Sequence, residues 1–147
     1  MILIKNEQND TPINAEQIKQ DAQKILDALD YSDFDLGILL TTNTEIQRLN
    51  KQYRDKDKAT DILSFPFHTI TAGERIVPKS ADDKNLGDLI IAPEYVQNNL
   101  AQWNQTFEQR LRVLLVHGIC HVLGYDHITD EDYKKMQEKE SALLKLL

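Results

Sequence analysis

One cysteine, five glycines and four prolines are all that this chain of 147 residues holds of the residue types that staple, bend or break a backbone. The lone Cys120 excludes an internal disulfide and suits a reducing compartment. No apolar run approaches the length needed to cross a bilayer. Met1-Ile-Leu-Ile-Lys5 offers neither a basic leader nor a cleavage site of small residues, so a cytoplasmic protein without a membrane partner is expected. Cations are also in deficit, 17 Lys and Arg against 24 Asp and Glu, and the net charge of −7 argues against a protein that coats nucleic acid indiscriminately. A local basic groove remains compatible with it. The run Lys51-Gln-Tyr-Arg-Asp-Lys-Asp-Lys58 sets four cations against two anions, although such a run is usually a solvated helix end or turn. What is present, 41% hydrophobic and 28% charged residues, is the balance of a soluble globular protein. The length suits one domain over residues 1–147 with a real core.

Periodicity predicts the elements. Residues 1–5 are apolar and β-branched enough for a short strand, and Ile18, Ala22, Ile25, Leu26 and Leu29 recur at a helical period over 15–29. The almost wholly apolar segment 35–41 suits a buried strand. Thr42 followed by Glu45 reads as a capping box opening a helix through Ile46, Leu49 and Tyr53. Residues 62–65 predict a strand stopped by Pro66, and 68–85, with Gly73 and Pro78, a long exposed loop. A strand over 86–92, a helix from Pro93 to about Gln102, and a longer helix over 107–123 capped by Thr106 follow. Gly124 ends that helix, and Thr129 with Asp132 starts a last one running to Leu147. The pattern predicts one α+β domain with about four strands in one sheet and helices packed over it.

The chemistry concentrates in His117-Gly-Ile-Cys-His-Val-Leu-Gly-Tyr-Asp-His127, where three of the chain's four histidines fall within eleven residues. Residues four apart on a helix project from nearly one side, so His117 and His121 can reach a common ion. Gly124 can adopt the left-handed conformation that turns the chain back and brings His127 to a third corner. Single histidines on helices are usually just hydrogen-bonded side chains, but this spacing is the one the metzincin signature uses for its zinc ligands. Three imidazoles leave one tetrahedral position open, as in catalytic zinc. Imidazole ligands also suit copper, nickel and iron. The zinc-peptidase general base is missing, because Gly118 stands where those enzymes place Glu. A metal there would still polarise a phosphodiester, whose charge calls for a nearby arginine.

These residues resemble the YbeY family, whose tail motif H-G-x-L-H-L-x-G-Y-D-H is matched by the histidine segment. The family's L-N-x-x-Y-R and P-T-D-V-L-S-F are matched by Leu49-Asn-Lys-Gln-Tyr-Arg54 and Ala59-Thr-Asp-Ile-Leu-Ser-Phe65, and its G-D-I by Gly87-Asp-Leu89. Ala59, Ile62, Leu89, Cys120 and Val122 depart from the pattern, none at a proposed ligand or at Arg54. The resemblance implies an α+β fold with a mixed four-stranded sheet and a metzincin-like three-histidine metal helix. It further implies a zinc-dependent, single-strand-specific endoribonuclease with one zinc ion per chain. Such an enzyme would act in maturation of the small-subunit (16S) ribosomal RNA 3′ end and in ribosome quality control. The implied partners are single-stranded ribosomal RNA and the ribosome or small-subunit assembly proteins, not DNA.

Roles follow by residue. His117, His121 and His127 are the proposed ligands, with His117 counted as catalytic through the metal. Arg54 is the proposed catalytic phosphate clamp, since a guanidinium holds two phosphate oxygens; without the family match it would read as a surface arginine at a helix end. Asp126 either orients a ligand imidazole or stabilises the turn after Gly124. Thr60, Asp61 and Ser64 help shape a substrate cleft, Asp61 reading better as a turn or strand-start residue than as a base. Tyr53, Phe65 and Phe67 offer stacking faces for bases, although aromatics so placed are more often core. Cys120, off the histidine stripe, reads as core, and His68 stays unassigned. Two other functions compete: a peptide hydrolase, against which Gly118 speaks, and a non-catalytic ribosome-associated factor stabilised by zinc.

Overall fold

A computed structural model describes all residues, 1–147. Four strands form one mixed sheet in the order β1-β2-β4-β3, where β1 is Ile2–Asn6, β2 Asp35–Leu40, β3 Ile62–Pro66 and β4 Asn85–Ile91. The first two pairings are parallel; β3 runs antiparallel to β4 and forms an edge. Pro66, predicted to stop β3, is instead its last residue, a position an edge strand tolerates because the missing amide has no neighbour to serve.

Strand alternation sorts the side chains between two faces. Leu36, Ile38 and Leu40 of β2, with Leu89 and Ile91 of β4, enter the larger core beneath α1 (Ala15–Ala28) and α4 (Phe107–Val122). Burial of Ile18, Ala22, Ile25 and Leu26 confirms the predicted stripe of α1. On the opposite face Ile90 of β4 and Leu63 of β3 pack with Ile46 of α2 (Asn43–Arg54) in a smaller cluster. The last helix, α5 (Asp130–Leu144), lies against α4 and inserts Met136 and Leu143 into the larger core. A partly buried ion pair, Arg112 to Asp21 at 3.1 Å, ties α4 to α1.

Several boundaries differ from the sequence reading. Only half of the capping box forms at Thr42: its hydroxyl accepts from the Glu45 amide at 3.2 Å, while the Glu45 carboxylate turns to Arg48. A complete box forms at Thr106 with Gln109. The helix opened by Pro93, α3, ends at Asn98, and a separate 3-10 turn covers Leu100–Gln102. The 68–85 segment is not simply an exposed loop. It holds a 3-10 turn at Ala81–Asp83 and buries Ile76, whose amide donates to the Tyr31 hydroxyl at 3.1 Å. No helix is long and apolar enough to cross a membrane.

Candidate metal centre

The final turn of α4 builds the site. Beyond it Gly124, at φ +91°, takes the left-handed conformation the sequence required. The Gly124 amide donates to the His121 carbonyl at 3.0 Å and the Tyr125 amide to the Cys120 carbonyl at 3.1 Å, the paired bonds of a Schellman end. The Ile70 carbonyl sits where a Cβ on Gly124 would go, so the 68–85 segment holds the turn from outside. The reversal carries His127 back over the helix. His117 and His121 face each other with Nε2 atoms 3.0 Å apart, and their ring centroids lie 6.1 and 5.5 Å from that of His127. One ligand atom from each imidazole falls within 4.8 Å of the other two. Three imidazole nitrogens converging in this way fit a transition-metal ion with an open position. Burial, reinforced by the neighbouring His117, holds the His121 imidazole below the ordinary histidine pKa, so it stays neutral as a ligand must be.

The histidines line a cleft of about 780 Å³ between the β3 edge, α4 and α5. Arg54, the last residue of α2, is exposed, reaches the same cleft from the other side of the sheet and has no side-chain hydrogen bond or ion pair. Thr60, Asp61 and Ser64 also line it. Asp61 behaves as a strand-start residue: its Oδ1 accepts from the Ile62 amide at 2.8 Å and its Oδ2 lies 3.6 Å from Arg110. Of the two readings of Asp126, the turn contact is the one seen, with Oδ1 accepting from the His127 amide at 2.7 Å. The same oxygen is 3.9 Å from His127 Nδ1, beyond a hydrogen bond.

Sequence reasoning missed three residues here. Glu140 of α5 places Oε2 3.0 Å from His117 Nδ1. Arg110 lies over the Trp103 ring at 3.7 Å, and both line the cleft. Nothing local marks them, since Glu140 is 23 residues from its partner. Arg110 has one sequence clue, lying seven residues before His117 on the same helix, two turns along the same face. Among the stacking candidates, Phe67 and Tyr53 are exposed, and Phe65 sits edge-on to Tyr53 with centroids 5.2 Å apart. None of the three lines the cleft, and Tyr53 and Phe65 lie on the opposite sheet face with Leu39 and Leu49. His68 bonds through Nε2 to the Asp83 carbonyl at 2.7 Å, a loop contact. Cys120 is core: buried, with its thiol pushed up to about 12 by desolvation.

Gly118 carries more than the absence of a base. A Cβ there would stand 2.9 Å from both Ile62 Cδ1 and Leu89 Cδ2. The position faces the sheet, so a side chain grafted onto it would first press on β3 and β4.

A mixed four-stranded sheet under a helix whose end and following turn bring three imidazoles together defines an α+β protein with a metzincin-like cluster of three histidines that could hold a metal ion. Comparison with known proteins gives the particular family. A family model described as endoribonuclease YbeY matches residues 3–147. The human endoribonuclease YbeY is 38% identical over 97% of this chain and 86% of its own length. The Clostridioides difficile endoribonuclease YbeY is 31% identical over 99% and 95%. A Thermotoga maritima protein solved in solution superposes with a TM-score of 0.67 at 28% identity, covering 99% of this chain and 88% of that one. The chain belongs to the YbeY endoribonuclease family.

Proposed function

We propose that this chain is a zinc-dependent endoribonuclease that cuts unpaired RNA, acting on ribosomal RNA during maturation of the small-subunit 3′ end and in ribosome quality control. The observation that carries the reading is the convergence of His117, His121 and His127 in a cleft that an unpaired arginine enters from the opposite wall. The endoribonuclease activity that names the human and Clostridioides difficile relatives supports the reaction class.

His117, His121 and His127 would hold one zinc ion, which supplies Lewis acidity to activate water near neutral pH and to polarise a phosphoryl oxygen. The remaining work belongs to the chain's own side chains. Arg54 projects into the cleft with its five donors uncommitted, so it can grip two non-bridging phosphate oxygens and bear the charge that grows on them in the transition state. Thr60 and Ser64, on the β3 side, present hydroxyls along the path of a ribose-phosphate backbone. Asp61 lies 3.6 Å from Arg110, which stacks on Trp103 at 3.7 Å, so the three side chains fix one another at that end of the cleft. Asp126 fixes the turn that presents His127. The cleft is concave and about half enclosed, which suits a flexible single strand that can bend into it better than an A-form duplex, whose backbone lies on a convex cylinder. Ribosome or small-subunit assembly proteins are the proposed partners, and the cytoplasm the proposed location.

Peptide hydrolysis loses support at Gly118, whose outward direction points into Ile62 and Leu89. The experiment is a digest with zinc-loaded protein of a single-stranded RNA, the same RNA annealed to its complement, and casein. Cleavage of the free strand alone is expected; hydrolysis of casein, or equal rates on free and annealed RNA, would overturn the reading.

A further inference from the structure

Glu140 sits on the buried stripe of α5. It lies four residues after Met136 and three before Leu143, both packed in the core, and so points toward α4 as they do. A carboxylate on such a stripe costs solvation unless it is paired. Its one polar contact is His117 Nδ1 at 3.0 Å, in a setting where the two side chains are 21% and 30% exposed. An ionised carboxylate only accepts, so the Nδ1 atom carries the proton and a neutral His117 ring keeps its lone pair on Nε2. That Nε2 is the atom facing His121 Nε2 across 3.0 Å. The neighbouring acid does not do the same for its own ring, because the nearest Asp126 oxygen lies 3.9 Å from His127 Nδ1, beyond a hydrogen bond.

From this geometry, and resting on the metal reading above, we infer that Glu140 is a positioning residue for the metal centre. Its carboxylate fixes His117 in the Nδ1–H tautomer and at the ring angle that present Nε2 to the ion. The last helix is thereby part of the site, its core residues Met136 and Leu143 setting where the carboxylate stands. Carboxylate partners of ligating histidines typically govern metal affinity by 10- to 100-fold, through orientation and through the basicity of the ring.

The test is zinc affinity by competition with a chromogenic chelator, for wild type, Glu140→Ala and Glu140→Gln. A readout independent of activity accompanies it: the imidazole nitrogen resonances of metal-free protein, which distinguish the two tautomers. Glu140→Ala should weaken zinc binding about 10- to 100-fold and shift His117 toward the Nε2–H form. Glu140→Gln keeps size and an acceptor but loses the charge, and should fall about three- to tenfold below wild type. A merely structural contact between helices would lower the melting temperature without moving the tautomer. If Glu140→Ala does not fold, Glu140→Gln decides. A zinc Kd within twofold of wild type in a folded variant overturns the inference and leaves the metal reading standing. A wild-type protein that binds no zinc overturns both.

Discussion

At the scale of single residues, the site divides into groups that bind and groups that hold. The Arg54 side chain is exposed, has no partner and enters the cleft, so its removal should leave the fold and the metal intact. Arg54→Ala is expected to retain zinc and lose about 100-fold or more in kcat, the scale seen when one preorganised charge-stabilising donor is removed. Arg54→Lys should recover only part of that, since an ammonium cannot reproduce the planar fork. Steady-state kinetics on a single-stranded RNA check this, and activity within twofold of wild type in Arg54→Ala would remove the residue from the reaction. The three histidines could be read from the sequence because their spacing is local: one helical turn, then a glycine-dependent reversal. Glu140 could not, since a contact between α4 and α5 leaves no trace in the segment around either residue. Asp126 was ambiguous for a related reason, as only the three-dimensional arrangement decides whether its oxygen meets a ring or a backbone amide.

At the scale of elements, α4 works as a two-sided part. One side delivers imidazoles to the cleft; the other lies over β3 and β4, close enough that a Cβ on Gly118 would crowd Ile62 and Leu89. Gly118→Ala is therefore expected to force the Ile62 and Leu89 side-chain ends aside, an overpacking cost of about 1–3 kcal/mol that the helix propensity of alanine offsets by about 1 kcal/mol, leaving a net destabilisation of up to about 2 kcal/mol. Urea unfolding measures it, and a variant as stable as wild type would show that the helix does not need this approach. The helices and strands were predictable from period because each buries one continuous face. The 68–85 segment was not, because burial of Ile76 and contact of Ile70 with Gly124 depend on a partner distant in sequence. α3 was overestimated for want of a strong signal at its end. The Asn98-Asn99 pair interrupts the helix, and the Asn99 side chain bonds back to the Tyr95 carbonyl.

At the scale of the whole molecule, an acidic chain concentrates three of its four histidines and two arginines in one cleft where two layers meet. Burying His121 there has a cost visible without metal. Burial, then the proximity of His117, holds its pKa below the ordinary value of about 6.5. Between that lower folded value and the ordinary one, the unfolded chain binds the extra proton, so stability falls as pH drops. Thermal unfolding of the metal-free protein from pH 7.5 downward should show a falling melting temperature, and His121→Gln a shallower slope; an identical slope would assign the acid sensitivity to other groups. The central claim is that three imidazoles form one metal site on which RNA cleavage depends. Metal analysis of the purified protein, paired with cleavage of a single-stranded RNA by wild type and His121→Ala, tests it most directly. About one zinc per wild-type chain, with metal and cleavage lost together in a folded His121→Ala, is the predicted result. A metal-free His121→Ala that cuts at the wild-type rate would contradict it.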